Sequence, residues 1–193
     1  VFVGYVAYAY LVVADGVIAL VDAGSGLGAS HADLEAGFEA VREVYGIPVR
    51  LEDLTQIVIT HGHVDHSGGL HQARAIATRA SVGAHELELT ALTNPGEHAA
   101  LGVSNKGIFL RRAGVPKERI SALLKMYKTG RSASQPSSVD FPVGNAVDPN
   151  GVFRFIHVPG HAPGLVMMQV GDILLTADHL LPVTSVVVPP ESI

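Results

Sequence analysis

A short segment of the chain concentrates side chains that bind metal ions. In the run HGHVDH, at positions 61–66, four candidate ligands occupy six consecutive positions directly after the β-rich run QIVIT. Because alternate side chains of an extended chain share a face, we expect His61 and His63 to converge on one ion. Asp65 and His66 fall where the chain turns into a helix, and we expect them to face a second ion. Without a metal, such polar groups at the end of a buried strand would cost free energy, so metal binding is the favoured interpretation.

The types of these ligands favour zinc. Imidazole nitrogens and carboxylate oxygens bind Zn²⁺ at roughly 2.0–2.2 Å. The chain contains no Cys, so neither a thiolate ligand nor a cysteine nucleophile is available. We therefore expect Zn²⁺ as the cofactor, two ions per complete chain, with iron and manganese as alternatives.

The spacing His-x-His-x-Asp-His resembles the signature of the metallo-β-lactamase superfamily, and more closely that of its glyoxalase II-like hydrolase branch. Three further matches follow in the order that this family has them. Asp22 ends an early strand in LVDAG, His161 lies in VPGH, and Asp178 lies in LTAD. The ordered set extends the resemblance over most of the chain.

This resemblance implies a role for each matching residue. It implies that His61, His63 and His161 hold the first metal, that Asp65 and His66 hold the second, and that Asp178 bridges both. Asp22 is implied to lie behind the ligands and to orient one of the histidines through its other ring nitrogen.

Strand and helix patterns surround these residues. The sequence Ala14-Asp15-Gly16 is typical of a hairpin turn. Strands are predicted at 5–13, 17–21, 56–60, 81–84, 152–158, 165–170 and 173–176, and helices at 31–45, 70–79, 99–113 and 116–128. The fold class is therefore α/β, and the resemblance implies a single αββα sandwich of the metallo-β-lactamase type over residues 1–193.

Two regions are expected to depart from a minimal sandwich. Residues 86–140 are predicted to be a helical insertion and loop near the mouth of the site, and the segment 130–150, rich in Ser, Pro, Gly and Asn, a surface loop. The resemblance also implies a last His ligand for the second metal beyond Ile193, followed by further helix. We therefore expect the C-terminal part of the sandwich to be truncated.

The expected chemistry is hydrolysis of an ester-like bond. Two metal ions a few Å apart lower the pKa of a shared water toward neutrality, and Asp65 is the expected acceptor of its proton. A thioester or lactone is favoured over a β-lactam. Zinc β-lactamases that use a Cys ligand at the position of Asp178 differ from this chain, which has Asp there and contains no Cys. Two alternatives stay open. One is a non-haem iron oxidoreductase of the same fold, similar to a persulfide dioxygenase, and the other is a non-catalytic metal-binding domain.

The composition limits the partners. The net charge is −5 with 13 Lys and Arg, and no segment gathers the basic cluster that nucleic-acid binding requires. Asp, Gly and Pro interrupt every apolar stretch before it reaches a membrane-spanning length. We therefore expect a cytoplasmic protein with a small-molecule substrate, without nucleic acid or membrane partners, and the sequence leaves a homo-oligomer open.

Overall fold

A computed structural model describes residues 7–131, 134–144, 148 and 150–181. A five-stranded sheet contains β1 (Tyr10–Ala14), β2 (Val17–Val21), β3 (Gln56–Ile59), β4 (Ser81–His85) and β5 (Phe141–Val143), in that order across the sheet. β1 and β2 are antiparallel, whereas each later strand is parallel to its predecessor. A second, antiparallel sheet contains β6 (Arg154–His157), β7 (Val166–Val170) and β8 (Ile173–Leu175).

The predicted hairpin between the first two strands is confirmed. Asp15 and Gly16 form the loop with positive φ angles of 49° and 82°, and Ala14 pairs with Val17 on either side of it. Two successive residues with positive φ match the right-handed twist of the flanking strands, which explains the Asp-Gly sequence. Among the described residues the first strand begins at Tyr10, whereas it was predicted from residue 5.

Residues of β2 alternate between two cores. Val17, Ala19 and Val21 face the second sheet and pack in a cluster with its residues, among them Phe155 and Met168. Leu20 points the other way, into a cluster with residues of α1 (Ser30–Tyr45) and α3 (Leu70–Ile76). Burial of each large side chain in these cores contributes about 1.5–3 kcal/mol.

The two cores define layers of helix, sheet and sheet. This arrangement is an α/β sandwich of helices and two sheets, as the sequence predicts. The part of the sandwich expected beyond Ile193 lies outside the described residues.

Three helices follow the fourth strand: α4 (Leu89–Thr93), α5 (Pro95–Arg112) and α6 (Lys117–Arg131). The side chain of Asn94 accepts a hydrogen bond from the N–H of Glu97, which caps α5, and Pro95 fills the first turn. The helix α5 therefore begins before the predicted start at 99, and the short helix α4 was not predicted. Among the described residues, no helix is both long and apolar enough to span a bilayer.

The prediction of a surface loop over 130–150 was wrong in one respect, because this segment contains the strand β5. Phe141 pairs with Gly83 of β4, and the missing side chain of Gly83 leaves room for the Phe141 ring. The strand has only three residues with Pro142 at its centre, so its sequence resembles that of a loop. Pro is tolerated here because β5 lies at the edge of the sheet.

Candidate metal site

The predicted ligands lie where two parallel strands of the larger sheet end. β2 leads directly into Asp22, and β3 leads through Thr60 into His61, which is fully buried. The carboxyl ends of parallel strands meet at one edge of a sheet, which brings these two segments together. The next turn of chain forms the short helix α2 (Val64–Ser67), which carries His66.

Three histidines converge at this edge. Nε2 of His61 lies 3.0 Å from Nδ1 of His63, and the same Nδ1 lies 2.8 Å from Nε2 of His161. Their ligand atoms all lie within 4.8 Å of one another. Four ligands in a tetrahedron at Zn–N distances of roughly 2.0–2.1 Å are about 3.3 Å apart. The three nitrogens therefore have a spacing that a single Zn²⁺ ion can accept with small adjustments.

A second group contains His61, His66 and Asp178, whose ligand atoms also lie within 4.8 Å of one another. Asp178 belongs to a short turn of 3₁₀-helix, Ala177–His179, which follows β8. One of its carboxylate oxygens lies 3.3 Å from Nε2 of His66, and the other lies 3.3 Å from Nε2 of His161. The carboxylate of Asp178 thus faces both groups of ligands.

Asp22 lies behind the histidines and holds the end of β3. Its carboxylate accepts hydrogen bonds from the backbone N–H and the hydroxyl of Thr60, each at 2.8 Å. Nδ1 of His66 lies 2.7 Å from the same carboxylate. Asp22 itself adopts a φ of 61°, a left-handed conformation that Asp tolerates better than most residues. Asp22 therefore fixes both the ligand-bearing strand end and the His66 ring.

The pKa values of two histidines of the site shift in opposite directions. Burial, reinforced by the neighbouring histidines, holds the pKa of His61 well below its ordinary value. Burial also acts to lower the pKa of His66, but the carboxylates of Asp22 and Asp178 outweigh it and raise this pKa to about 11. The hydrogen bond with His66 lowers the pKa of Asp178. Burial and neighbouring histidines thus disfavour a proton on His61, whereas the carboxylates favour one on His66.

Comparison with known proteins places the chain in a family. A sequence profile of the metallo-beta-lactamase superfamily matches residues 3–191. The chain belongs to this superfamily. None of the curated proteins compared with the chain gives a significant match.

Solved structures of the superfamily have the same fold. A metallo-beta-lactamase family protein of Thermus thermophilus is 25% identical with a TM-score of 0.68, over 93% of this chain and 56% of that chain. The FEZ-1 metallo-beta-lactamase of Legionella gormanii is 15% identical with a TM-score of 0.56, over 93% of this chain and 60% of that one. A metallo-beta-lactamase of Cronobacter sakazakii with a HARLDQ motif is 20% identical with a TM-score of 0.54, over 84% of this chain and 47% of that one. The chain thus spans about half the length of these superfamily members.

Six residues were predicted as metal ligands from the superfamily signature, and the structure brings five of them together. These five belong to the two groups of converging atoms: His61, His63, His66, His161 and Asp178. Asp65 differs, because its carboxylate lies 3.7 Å from Nε2 of His66 with a side chain that is 49% exposed. It is in neither group among the described residues. Asp65 is therefore better placed to contact water at the site than the buried ligands are.

The buried carboxylate of Glu88 was not predicted to belong to this superfamily site. Its two oxygens accept hydrogen bonds from the N–H groups of Gly62 and Gly164, one in each loop that carries histidines of the first group. Glu88 stands in the run HELELT between exposed residues, so no side-chain pattern distinguishes it. Its two partners differ in position, since Gly62 stands between two histidines whereas Gly164 comes three residues after His161, so the glycines give no common signal in the sequence either.

A small, open cleft of about 20 Å³ lies beside His63. One wall is the loop of the superfamily signature, and the other is provided by α4, α5 and the segment that follows α6. The lining residues are Gly62, His63, Val64, Ala91, Pro95, His98, Ala99 and Ser134. The cleft is therefore adjacent to the converging histidines.

Proposed function

We propose that the chain is part of a dinuclear metallo-hydrolase that cleaves an ester-like bond, a thioester or a lactone. The observation that carries this proposal is the position of Asp178, with one carboxylate oxygen 3.3 Å from His66 and the other 3.3 Å from His161. A carboxylate that faces two groups of ligands can offer one oxygen to each of two ions. Two ions are what a hydrolase of this superfamily would use to activate water.

All the proposed ligands fit such a metal centre by type, and all but Asp65 belong to the two groups of converging atoms. In the proposal His61, His63 and His161 hold one ion, His66 and Asp65 hold the other, and Asp178 contributes to both. The contact between Asp22 and His66 supports this assignment, because ligand histidines in proteins are generally oriented by a carboxylate or carbonyl on the other ring nitrogen. Zinc suits these ligands best.

When bound, the metals would supply a water of lowered pKa and an electrophile that polarises the scissile carbonyl. The chain's own contribution is positional. Asp65 is proposed to accept the proton of the attacking water at a carboxylate oxygen and to orient that water. The buried Asp22 and Thr60 hold the end of β3 rigid, which keeps the histidines in place during the reaction.

The substrate is proposed to bind in the cleft beside His63. Its walls combine small apolar side chains, such as Ala91 and Ala99, with polar groups of His98 and Ser134. This composition suits a short acyl or lactone substrate that is oriented by few polar contacts. The cleft also supports the proposal that residues 86–140 are an insertion at the mouth of the site. The glyoxalase II-like branch stays a prediction.

Metal content tests the proposal, with turnover as the second measurement. The purified chain and its His61→Ala/His63→Ala variant are analysed for zinc, iron and manganese, and both are assayed on thioester and lactone substrates. We expect zinc and hydrolysis in the wild type, and loss of both in the variant. One iron with no hydrolysis would favour the iron oxidoreductase instead. A wild-type chain that binds none of the three metals would exclude a metallo-hydrolase.

A further inference from the structure

Glu88 connects the two loops that supply the first group of histidines. Its carboxylate accepts a hydrogen bond of 2.8 Å from the N–H of Gly62, which stands between His61 and His63. The other oxygen accepts one of 2.6 Å from the N–H of Gly164, in the loop that follows His161. Glu88 is buried, with a relative exposure of 3%. A single buried carboxylate therefore sets the spacing between two segments that are distant in the sequence.

Both partners of Glu88 are glycines for a steric reason. A Cβ on Gly62 would lie 2.7 Å from a carboxylate oxygen of Glu88. A Cβ on Gly164 would lie 2.7 Å from Cγ of Glu88. Distances this short do not occur for real Cβ atoms, so any larger residue would push the carboxylate away from the loops. The two glycines and the carboxylate form one close-fitting unit.

The loop around His161 is also held from a neighbouring strand. Nε2 of His157, at the end of β6, donates a hydrogen bond of 2.8 Å to the carbonyl of Pro163. The ring of His157 stacks on that of His85 with centroids 4.1 Å apart, and His85 precedes the turn that contains Glu88. The loop is thus fixed at Pro163 and at Gly164, so its position relative to β4 is well defined.

We propose that Glu88 is a positioning residue for the metal site: it fixes the His161 loop against the His61–His63 loop without contacting an ion itself. This inference rests on the proposed metal site. The buried N–H of Gly164 needs an acceptor, and the partly buried N–H of Gly62 bonds to the same carboxylate. A carboxylate offers an acceptor at both oxygens, whereas an amide of the same shape offers only one. Glu88→Gln therefore releases one loop while it preserves the volume of the side chain.

The test measures metal binding and the geometry of the site. The wild type, Glu88→Gln and Glu86→Gln are titrated with Co²⁺ and with Zn²⁺, and the visible spectrum of the Co²⁺ forms is recorded. Glu86 is an exposed carboxylate in the same turn, so Glu86→Gln is the matched control. Substitution of residues that orient metal ligands costs about 10–100-fold in affinity, which is the loss expected for Glu88→Gln. Its Co²⁺ spectrum should shift, while the spectrum of the control should match that of the wild type.

Amide exchange separates positioning from a general loss of folding. In the metal-free protein Glu88→Gln should retain most native protection, with faster exchange at the N–H of Gly62 or Gly164. If this variant does not fold, Glu88→Asp, which keeps both oxygens on a shorter side chain, is titrated instead, and it should bind Co²⁺ more weakly than the wild type.

Each outcome decides one of the two proposals. Unchanged affinity and an unchanged spectrum in the variant that is titrated would overturn the role of Glu88 and leave the metal site intact. A wild type that binds neither ion would overturn the metal site itself.

Discussion

Nδ1 of His66 lies 2.7 Å from the carboxylate of Asp22, although the two residues are 44 positions apart. This contact leaves Nε2 of His66 directed at Asp178, 3.3 Å away. The ring is therefore held from behind by one carboxylate and presents its other nitrogen to the candidate metal site. The parallel arrangement of β2 and β3 creates this relationship, because both strands end at the same edge of the sheet.

Asp22→Asn is expected to weaken metal binding by about tenfold or more, because the buried carboxylate orients His66 and also binds Thr60. It should also lower the free energy of unfolding by about 1–3 kcal/mol, since a buried donor loses its acceptor. Zn²⁺ titration and chemical denaturation measure the two effects. Thr60→Val is the comparison, because it removes the contacts of the hydroxyl with Asp22 and with Nδ1 of His61 but leaves the contact between Asp22 and His66. Equal metal affinity in Asp22→Asn and the wild type would contradict this role of Asp22.

Asp178→Ala is expected to reduce the metal content at both sites, because the carboxylate faces His66 and His161 at 3.3 Å each. His179→Ala should leave the metal content unchanged, since His179 is in neither group of converging ligand atoms. Elemental analysis of the two purified variants gives the comparison. An equal loss of metal in both would mean that the ligand has been assigned one residue too early.

The sequence predicted the location of the candidate site because its ligands follow strict spacing. HGHVDH comes directly after a strand, and alternation along that strand predicts that His61 and His63 converge, as the structure has them. The direction of the Asp65 side chain depends on where helix α2 begins. The spacing of the ligands along the sequence does not determine that position. Glu88 could not be found in this way, because its partners are backbone N–H groups that lie 26 and 76 positions away.

The strands were predicted less evenly than the candidate site. Apolar runs such as QIVIT identify buried strands well, since all four residues of β3 are buried. The strand β5 escaped prediction because its pairing with β4 is decided by tertiary contacts. One of these is the contact between Asp140 and Arg74, which no local pattern encodes.

Acid should weaken the attachment of β5 to the rest of the sheet. Hydrogen bonds from Arg74, aided by one from the N–H of Val82, hold the pKa of Asp140 below its ordinary value of 3.8. A carboxyl group with a lowered pKa in the folded state contributes stability above its unfolded pKa, and this stability is lost as the pH falls through the folded pKa. The ion pair therefore contributes its full stability at neutral pH, and this contribution is lost progressively as the pH falls below about 4.

Asp140→Asn should remove this acid-dependent contribution. The side chains of Arg74 and Asp140 are 29% and 38% exposed, so solvent screening limits the effect to about 1 kcal/mol or less. Unfolding in urea at pH 7 and at pH 3 measures it, and the difference between wild type and variant should shrink at the lower pH. A difference that grows on acidification would contradict the role of this ion pair.

The cleft beside His63 provides the last prediction, because it is proposed to bind the substrate. Ala99→Phe places a ring in the cleft, whereas Ala100→Phe places the same ring on the exposed neighbouring position of helix α5. The first variant should raise KM about tenfold, which corresponds to about 1.4 kcal/mol of lost binding, with kcat little changed. The second should leave both constants near the wild-type values. Steady-state kinetics on the best thioester or lactone substrate provide the measurement. If the two variants behave alike, the substrate does not bind in this cleft, and a decrease in kcat alone would indicate that the ring disturbs the metal site instead.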